Sequence, residues 1–124
     1  MTPEGKVKER IKAALDEAKA YYHMAVLNGM GQPTLDFTGC HRGLYFAIEA
    51  KAPGGEPTAR QKHTMRQMLK ARAMVFVVSD EESLEQLRAW LRAPNSALLR
   101  VIQRMKDEIA RLRALLERQP NEPR

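Results

Sequence analysis

Two carboxylates and an amine occupy positions that a β-hairpin would bring together. Glu49 and Lys51 alternate with apolar residues in the strand-like run Leu44–Lys51, so both side chains would lie on one face. If the preceding run, Leu35–Cys40, turns back symmetrically, Asp36 falls opposite Glu49 with Cβ atoms ~5 Å apart. The three side chains would then form one cluster. The alternative interpretation is a solvated strand face.

The chemistry of such a cluster is that of a hard divalent cation. Adjacent carboxylates repel each other and are best stabilised by an ion that prefers oxygen ligands, such as Mg²⁺ or Mn²⁺. A metal held there would polarise a phosphoryl oxygen and lower the pKa of a bound water, with Lys51 orienting or deprotonating that water. One cysteine and three histidines show no zinc spacing. The pattern therefore favours metal-dependent hydrolysis of a phosphodiester.

The elements that must position this cluster follow from periodicity and capping signals. We predict, in chain order, a helix over residues 3–19, strands over 20–27, 35–40 and 44–51, a helix over 58–72, a strand over 74–78 and a helix capped at Ser79–Glu82. A cluster of Gly, Asn and Pro at residues 28–33 should interrupt the chain. Thr58 and Gln61 match a capping box. The continuous apolar run Met74–Val78 is typical of a strand covered on both faces.

This order, αβββαβα, predicts an α/β fold in which helices flank a mixed β-sheet, with a crossover between the third and fourth strands. We expect the domain to span residues 1–93. A helix over 94–118 and a polar tail over 119–124 would follow it.

The C-terminal helix carries a heptad seam. Its apolar residues are spaced 4, 3, 4, 3 and 4 apart: Leu98, Ile102, Met105, Ile109, Leu112 and Leu116. One interpretation is an amphipathic helix that lies on its own domain. The other is an intermolecular coiled coil, which would make the protein a homodimer.

Composition bounds the partners. The 124 residues carry a formal net charge of +6, which favours a polyanion such as DNA through counterion release. No apolar run approaches the ~20 residues needed to cross a membrane. The polar N-terminus lacks the apolar segment of a secretion signal, so we expect a soluble, cytoplasmic protein without a membrane partner.

Three stretches resemble a known family. Residues 31–37, 43–54 and 57–61 are similar to the VRR-NUC family of the PD-(D/E)XK nuclease superfamily, which includes small stand-alone bacteriophage proteins. The similarity covers roughly residues 2–92. It implies a restriction-endonuclease-like fold, an enzyme that cleaves DNA with Mg²⁺ or Mn²⁺, and, for a phage-encoded chain, action in the cytoplasm of a bacterial host. Ala71–Ala73 replaces a Gly-containing turn that we would expect before the fourth strand.

The resemblance also implies roles for individual residues. Asp36 and Glu49 would bind the metal, together with the backbone carbonyl of Ala50, and Lys51 would complete the catalytic motif. Gln61 matches the family's glutamine, although the capping box explains it equally well. Glu4 resembles an acidic residue of the family's first helix that points to the metal, although a first-turn glutamate is also favoured by the helix dipole.

Basic side chains around this motif are candidates for DNA contacts, namely Arg42, Arg60, Lys62 and His63. Stand-alone members of the family are associated with structure-selective cutting, so a homodimer acting on branched DNA, including four-way junctions, is the expected form. A general or flap-selective nuclease is the alternative enzyme. A non-catalytic DNA-binding module and a coiled-coil interaction protein are the alternatives from other classes.

Overall fold

A computed structural model describes residues 1–25, 33–93 and 96–118, with the side chains of 96–100 left out. The chain divides into two units, Met1–Ala93 and Pro94–Arg124. The elements are α1 (Pro3–Glu17), β1 (Tyr21–Met24), β2 (Phe37–His41), β3 (Leu44–Ala50), α2 (Ala59–Lys70), β4 (Met74–Val78), α3 (Glu81–Arg92) and α4 (Ser96–Arg118). The predicted end of the first strand, most of the 28–33 turn cluster and the 119–124 tail lie outside the described residues.

The four strands form one mixed sheet in the order β1-β2-β3-β4. β1, β2 and β3 are antiparallel neighbours, whereas β3 and β4 are parallel and joined through α2. This confirms the mixed α/β class and the predicted crossover. In the hairpin, Phe37 pairs with Ile48 and His41 pairs with Leu44, so the turn has two residues.

Hydroxyl and carboxylate caps fix where the helices begin. The Thr2 hydroxyl accepts a hydrogen bond from the Gly5 N–H at 3.0 Å, as the Thr-Pro start of α1 predicts. The predicted cap of α3 was wrong by one residue. Asp80, not Ser79, is the N-cap, and its carboxylate accepts from the Ser83 N–H at 2.8 Å because Ser83 occupies the third helical position.

Apolar faces of α1, the sheet and α3 meet in one core. Its fully buried large side chains include Ile11, Leu15, Phe37, Phe46, Ile48, Leu84 and Leu87. Met74–Val78, which we expected to be covered on both faces, is covered in part, because four of its residues are half-buried and none is exposed. β4 is an edge strand of the sheet, and only Val78 of its five residues is buried.

Helices α1 and α2 each end in a turn of the same type. After α1, the Lys19 N–H donates to the Asp16 carbonyl at 3.1 Å and the Ala20 N–H donates to the Leu15 carbonyl at 3.0 Å, a Schellman motif. Lys19 has a φ of 58°, and Arg72, in the equivalent position after α2, has a φ of 76°. The turn before β4 therefore forms without the glycine that we expected there.

The second unit consists of α4. Apolar side chains along it are exposed, namely Val101, Ile102, Met105, Ile109, Leu112, Leu115 and Leu116. The predicted helix is thus confirmed over Ser96–Arg118. Among the described residues, no helix has the length and apolar character needed to cross a membrane.

Gly39 lies where β1 and β2 approach each other closely. It lies on β2 against β1, where an added Cβ would overlap the Tyr21 carbonyl and lie 2.7 Å from the Tyr22 Cα. Because backbone atoms cannot yield as side chains do, Gly39→Ala should lower the free energy of unfolding by about 2–3 kcal/mol. Urea denaturation followed by circular dichroism measures this. Cys40→Ala, at the exposed neighbouring position, is the control and should change stability little. Equal stabilities of the two variants would contradict this account of the β1-β2 contact.

Candidate active site

The hairpin places Asp36 beside Glu49. Continuing the β2-β3 register by one residue puts the two opposite each other. The Ala50 N–H donates a hydrogen bond to Asp36 Oδ2 at 2.9 Å. The Asp36 carboxylate is therefore tied to the backbone of β3, directly between Glu49 and Lys51, and the predicted cross-strand arrangement is confirmed.

Glu49 is buried, with only 4% of its surface exposed. It lies near the end of β3, which has β2 on one side and β4 on the other, so the alternative of a solvated strand face is wrong. One carboxylate oxygen, Oε1, accepts from Gln61 Nε2 at 2.9 Å. The other, Oε2, has no hydrogen-bond partner among the described residues. A buried oxygen of this kind is costly unless a positive group satisfies it.

Gln61 serves the helix and the site at the same time. The Gln61 side-chain oxygen accepts a hydrogen bond from the Thr58 backbone N–H at 2.9 Å. The Gln61 backbone N–H donates to the Thr58 hydroxyl at 3.2 Å. Its side-chain nitrogen remains available and donates to Glu49. The two interpretations of Gln61 are therefore compatible, because the amide group uses its two ends separately.

The surroundings of Glu49 raise its pKa from the ordinary value of 4.5 to about 7. Burial is the largest cause, followed by the neighbouring Asp36 carboxylate. Lys51 acts in the opposite direction and lowers the pKa, whereas the negative charge of Glu4 raises it slightly. These effects show that Glu4, Asp36 and Lys51 all lie within electrostatic reach of Glu49.

Sequence reasoning missed Lys8. Its Nζ lies 3.6 Å from Asp36 Oδ1 and 4.0 Å from Glu4 Oε2, so one ammonium group lies between two of the predicted site residues. The sequence could have indicated Lys8, because it follows Glu4 by four residues on α1 and therefore lies on the same helix face. Lys8 therefore offsets part of the negative charge of the site.

Two carboxylates, and not three, form the candidate metal centre. Among the described residues, no group of three Asp, Glu, His or Cys side chains is arranged to hold a metal ion. The Glu4 side chain is 43% exposed and lies beside Lys8. Asp36, Glu49 and the adjacent Ala50 carbonyl nevertheless fit a hard cation, because oxygen ligands suit Mg²⁺ and the buried Glu49 Oε2 needs either a proton shared with Asp36 or a cation.

The predicted DNA-contact residues do not form one patch. Arg60, Lys62 and His63 are exposed in the first turns of α2, next to Gln61. Arg42 lies in the hairpin turn at the opposite end of β2 and β3. The five residues of β2 lie between Arg42 and Asp36, and the six residue steps correspond to roughly 20 Å.

Comparison with known proteins assigns no family. No protein-family model matches the chain, and no curated protein is similar to it. The resemblance to the VRR-NUC family therefore depends on the residues quoted above.

The raised pKa of Glu49 predicts a pH-dependent stability. Between pH 4.5 and 7 the unfolded chain releases this proton while the folded protein retains it, so the free energy of unfolding falls as pH rises through this window. Glu49→Gln removes the effect. In EDTA, its stability relative to wild type should be higher at pH 8 than at pH 5, by on the order of 1–3 kcal/mol.

Urea denaturation at the two pH values measures this difference. Glu56→Gln, at an exposed loop position, is the control and should follow wild type. If the curves of Glu49→Gln and wild type stay parallel from pH 5 to 8, Glu49 ionises as a surface carboxylate does.

Proposed function

We propose that this chain is a metal-dependent nuclease that hydrolyses phosphodiester bonds of DNA. The observation that carries the proposal is the buried Glu49 carboxylate, whose Oε2 has no partner among the described residues. It lies beside a second carboxylate, that of Asp36, which a backbone N–H orients. A protein that buries two neighbouring acids at the end of a central strand gains stability from a divalent cation between them.

Asp36, Glu49 and the Ala50 carbonyl would hold Mg²⁺ or Mn²⁺. When bound, the ion supplies Lewis-acid polarisation of a phosphoryl oxygen and lowers the pKa of a water. Glu4 would add negative charge near this centre, since its charge already affects Glu49.

The chain's own residues would orient the reactants and balance charge. Lys51, whose ammonium group already acts electrostatically on Glu49, would donate a hydrogen bond to a phosphate oxygen as negative charge develops there. Gln61 holds Glu49 by its hydrogen bond and so fixes one ligand. Lys8 neutralises part of the carboxylate charge, which lowers the repulsion that an incoming phosphodiester would meet.

DNA is the proposed substrate because of charge and placement. The chain carries a net charge of +6, and Arg60, Lys62 and His63 are exposed on the helix that begins at the site. The order Asp36, Glu49-x-Lys51 and Gln61 resembles that of VRR-NUC nucleases. We therefore propose structure-selective cutting of branched DNA, including four-way junctions, in the cytoplasm, with a general or flap-selective nuclease as the alternative.

A second candidate is a non-catalytic DNA-binding module with the same fold. Lys8 favours it, because its ammonium group already lies 3.6 Å from Asp36 and provides a positive charge without a metal. Under this hypothesis Asp36, Glu49 and Lys8 form a structural ion cluster. Metal binding distinguishes the two candidates.

Cleavage and metal binding test the proposed activity together. Labelled linear duplex, single-stranded, flap and four-way-junction DNA are incubated with Mg²⁺, Mn²⁺ or EDTA. Wild type should cut at least one substrate only with metal. Lys51→Ala should cut at least 100-fold more slowly yet still bind Mn²⁺ in calorimetry, because it removes a charge-stabilising group and no ligand. Asp36→Asn should lose Mn²⁺ binding.

Lys70→Ala, on the exposed last turn of α2, is the matched control and should retain full activity. Intact substrates under all conditions, together with no Mn²⁺ heat in wild type, would overturn the nuclease proposal. DNA binding without either activity would support the second candidate.

We also propose that α4 joins two copies of the chain. Exposed apolar side chains recur along it at heptad spacing, at positions 102, 105, 109, 112 and 116. Together with Leu98 in the sequence, these positions form a seam of between two and three heptads, the pattern of a coiled coil. Two-fold pairing would present two sites, which suits a symmetrical branched substrate.

Disrupting the seam tests this pairing. Ile109→Asp combined with Leu112→Asp should convert a dimer to a monomer in sedimentation velocity, because two charges would be buried in the seam. Mn²⁺ binding by the first unit should be unchanged. Arg104→Asp, at an exposed c position of the heptad, is the control for added charge. A monomeric wild type at micromolar concentrations would contradict the proposed dimer.

A further inference from the structure

A basic pocket lies at the hairpin-turn end of the sheet, away from the candidate active site. The cavity has a volume of about 560 Å³. Four cations, Lys19, Arg42, Arg88 and Arg92, and one carboxylate, Glu17, line it. Its lining therefore carries an excess of three positive charges.

Three elements supply these cations, and each is held in place. Lys19 belongs to the Schellman turn after α1, and Arg88 and Arg92 lie in the last turns of α3. Arg42 begins the β2-β3 turn. The adjacent residue, His41, is buried, and its Nε2 lies 2.7 Å from the Leu91 carbonyl of α3. This contact fixes the hairpin turn against α3 and thereby brings Arg42 to the pocket.

Two of the four cations are already paired. Arg88 forms ion pairs with Glu81 and Glu85 at 3.1 and 3.5 Å, and Arg92 pairs with Glu85. Lys19 and Arg42 are exposed and have no ion pair among the described residues. They are therefore the cations available to a ligand.

Both available cations stand where another residue would make the fold more stable. Lys19 has a φ of 58° and Arg42 a φ of 51°, in the left-handed region that is unfavourable for L-residues. Arg42 and Gly43 both have positive φ, as in a type I′ hairpin turn, for which Asn-Gly is the preferred pair. The chain thus keeps charge at two positions of the pocket where Asn or Gly would fold better, and Arg72, outside the pocket, is a third basic residue with a positive φ.

We propose that this pocket binds a backbone phosphate of duplex DNA. The inference rests on the proposed function for the identity of the ligand. Arg42 lies roughly 20 Å from Asp36 along the hairpin, a distance that corresponds to about six base pairs at 3.4 Å each. The pocket therefore contacts the duplex about six base pairs from the phosphodiester that reacts. This second contact sets the direction in which the substrate lies on the protein.

Charge removal combined with a stability measurement tests the pocket. The variant Lys19→Asn/Arg42→Asn in the full chain removes both available cations and suits their backbone conformation. Its affinity for a fluorescent 30-base-pair duplex is measured by anisotropy in EDTA across a series of salt concentrations. Relative to wild type, binding should weaken and the slope of log K against log salt should decrease in magnitude by about one, because one phosphate is no longer neutralised. The melting temperature should rise, which excludes misfolding as the cause.

Arg104→Gln/Arg118→Gln removes the same charge from exposed positions on α4 and is the matched control. An unchanged slope in the pocket variant, or an equal decrease in the control, would overturn the proposal. The same titration is made with single-stranded RNA. If the pocket variant loses affinity for the RNA but not for the duplex, the proposal is also overturned. If wild type neither cuts DNA nor binds Mn²⁺ but the slope still decreases, the nuclease proposal fails and the phosphate pocket stands.

Discussion

Burial of the Glu49 carboxylate is the constraint around which the first unit is arranged. A central strand flanked on both sides excludes water from this side chain, and burial together with Asp36 raises its pKa to about 7. Two groups from separate elements offset this cost: Gln61, in the first turn of α2, donates a hydrogen bond to Glu49, and Lys51, directly after β3, acts on it as a positive charge. Removing any of these elements would leave a buried acid without its partners.

Backbone hydrogen bonds and a helix cap orient the side chains of the site. The Ala50 N–H orients Asp36, and the capping box of α2 orients the Gln61 amide, whose other end holds Glu49. The hydrogen bonds at the start of β2 and of α2 therefore also orient Asp36 and the Gln61 amide that holds Glu49. The positions of these side chains therefore depend on the end of β3 and the start of α2.

At the other end of the sheet, charge and conformational stability oppose each other. Lys19 and Arg42 adopt left-handed backbone conformations that glycine or asparagine would adopt at lower cost. The hydrogen bonds of the Schellman turn and the contact between His41 and Leu91 supply the stabilisation that holds these turns. The fold thus gives up some stability at the two positions that expose an unpaired cation.

The sequence by itself determined the order of helices and strands, the hairpin register that sets Asp36 opposite Glu49, and the capping role of Gln61, because each follows from local periodicity and turn chemistry. Only the tertiary structure decided that Glu49 is buried, that Lys8 lies between Asp36 and Glu4, and that β4 is an edge strand. It also separated Arg42 from the site. Burial and ion pairing depend on which elements pack together, and contacts between elements distant in sequence leave no local pattern.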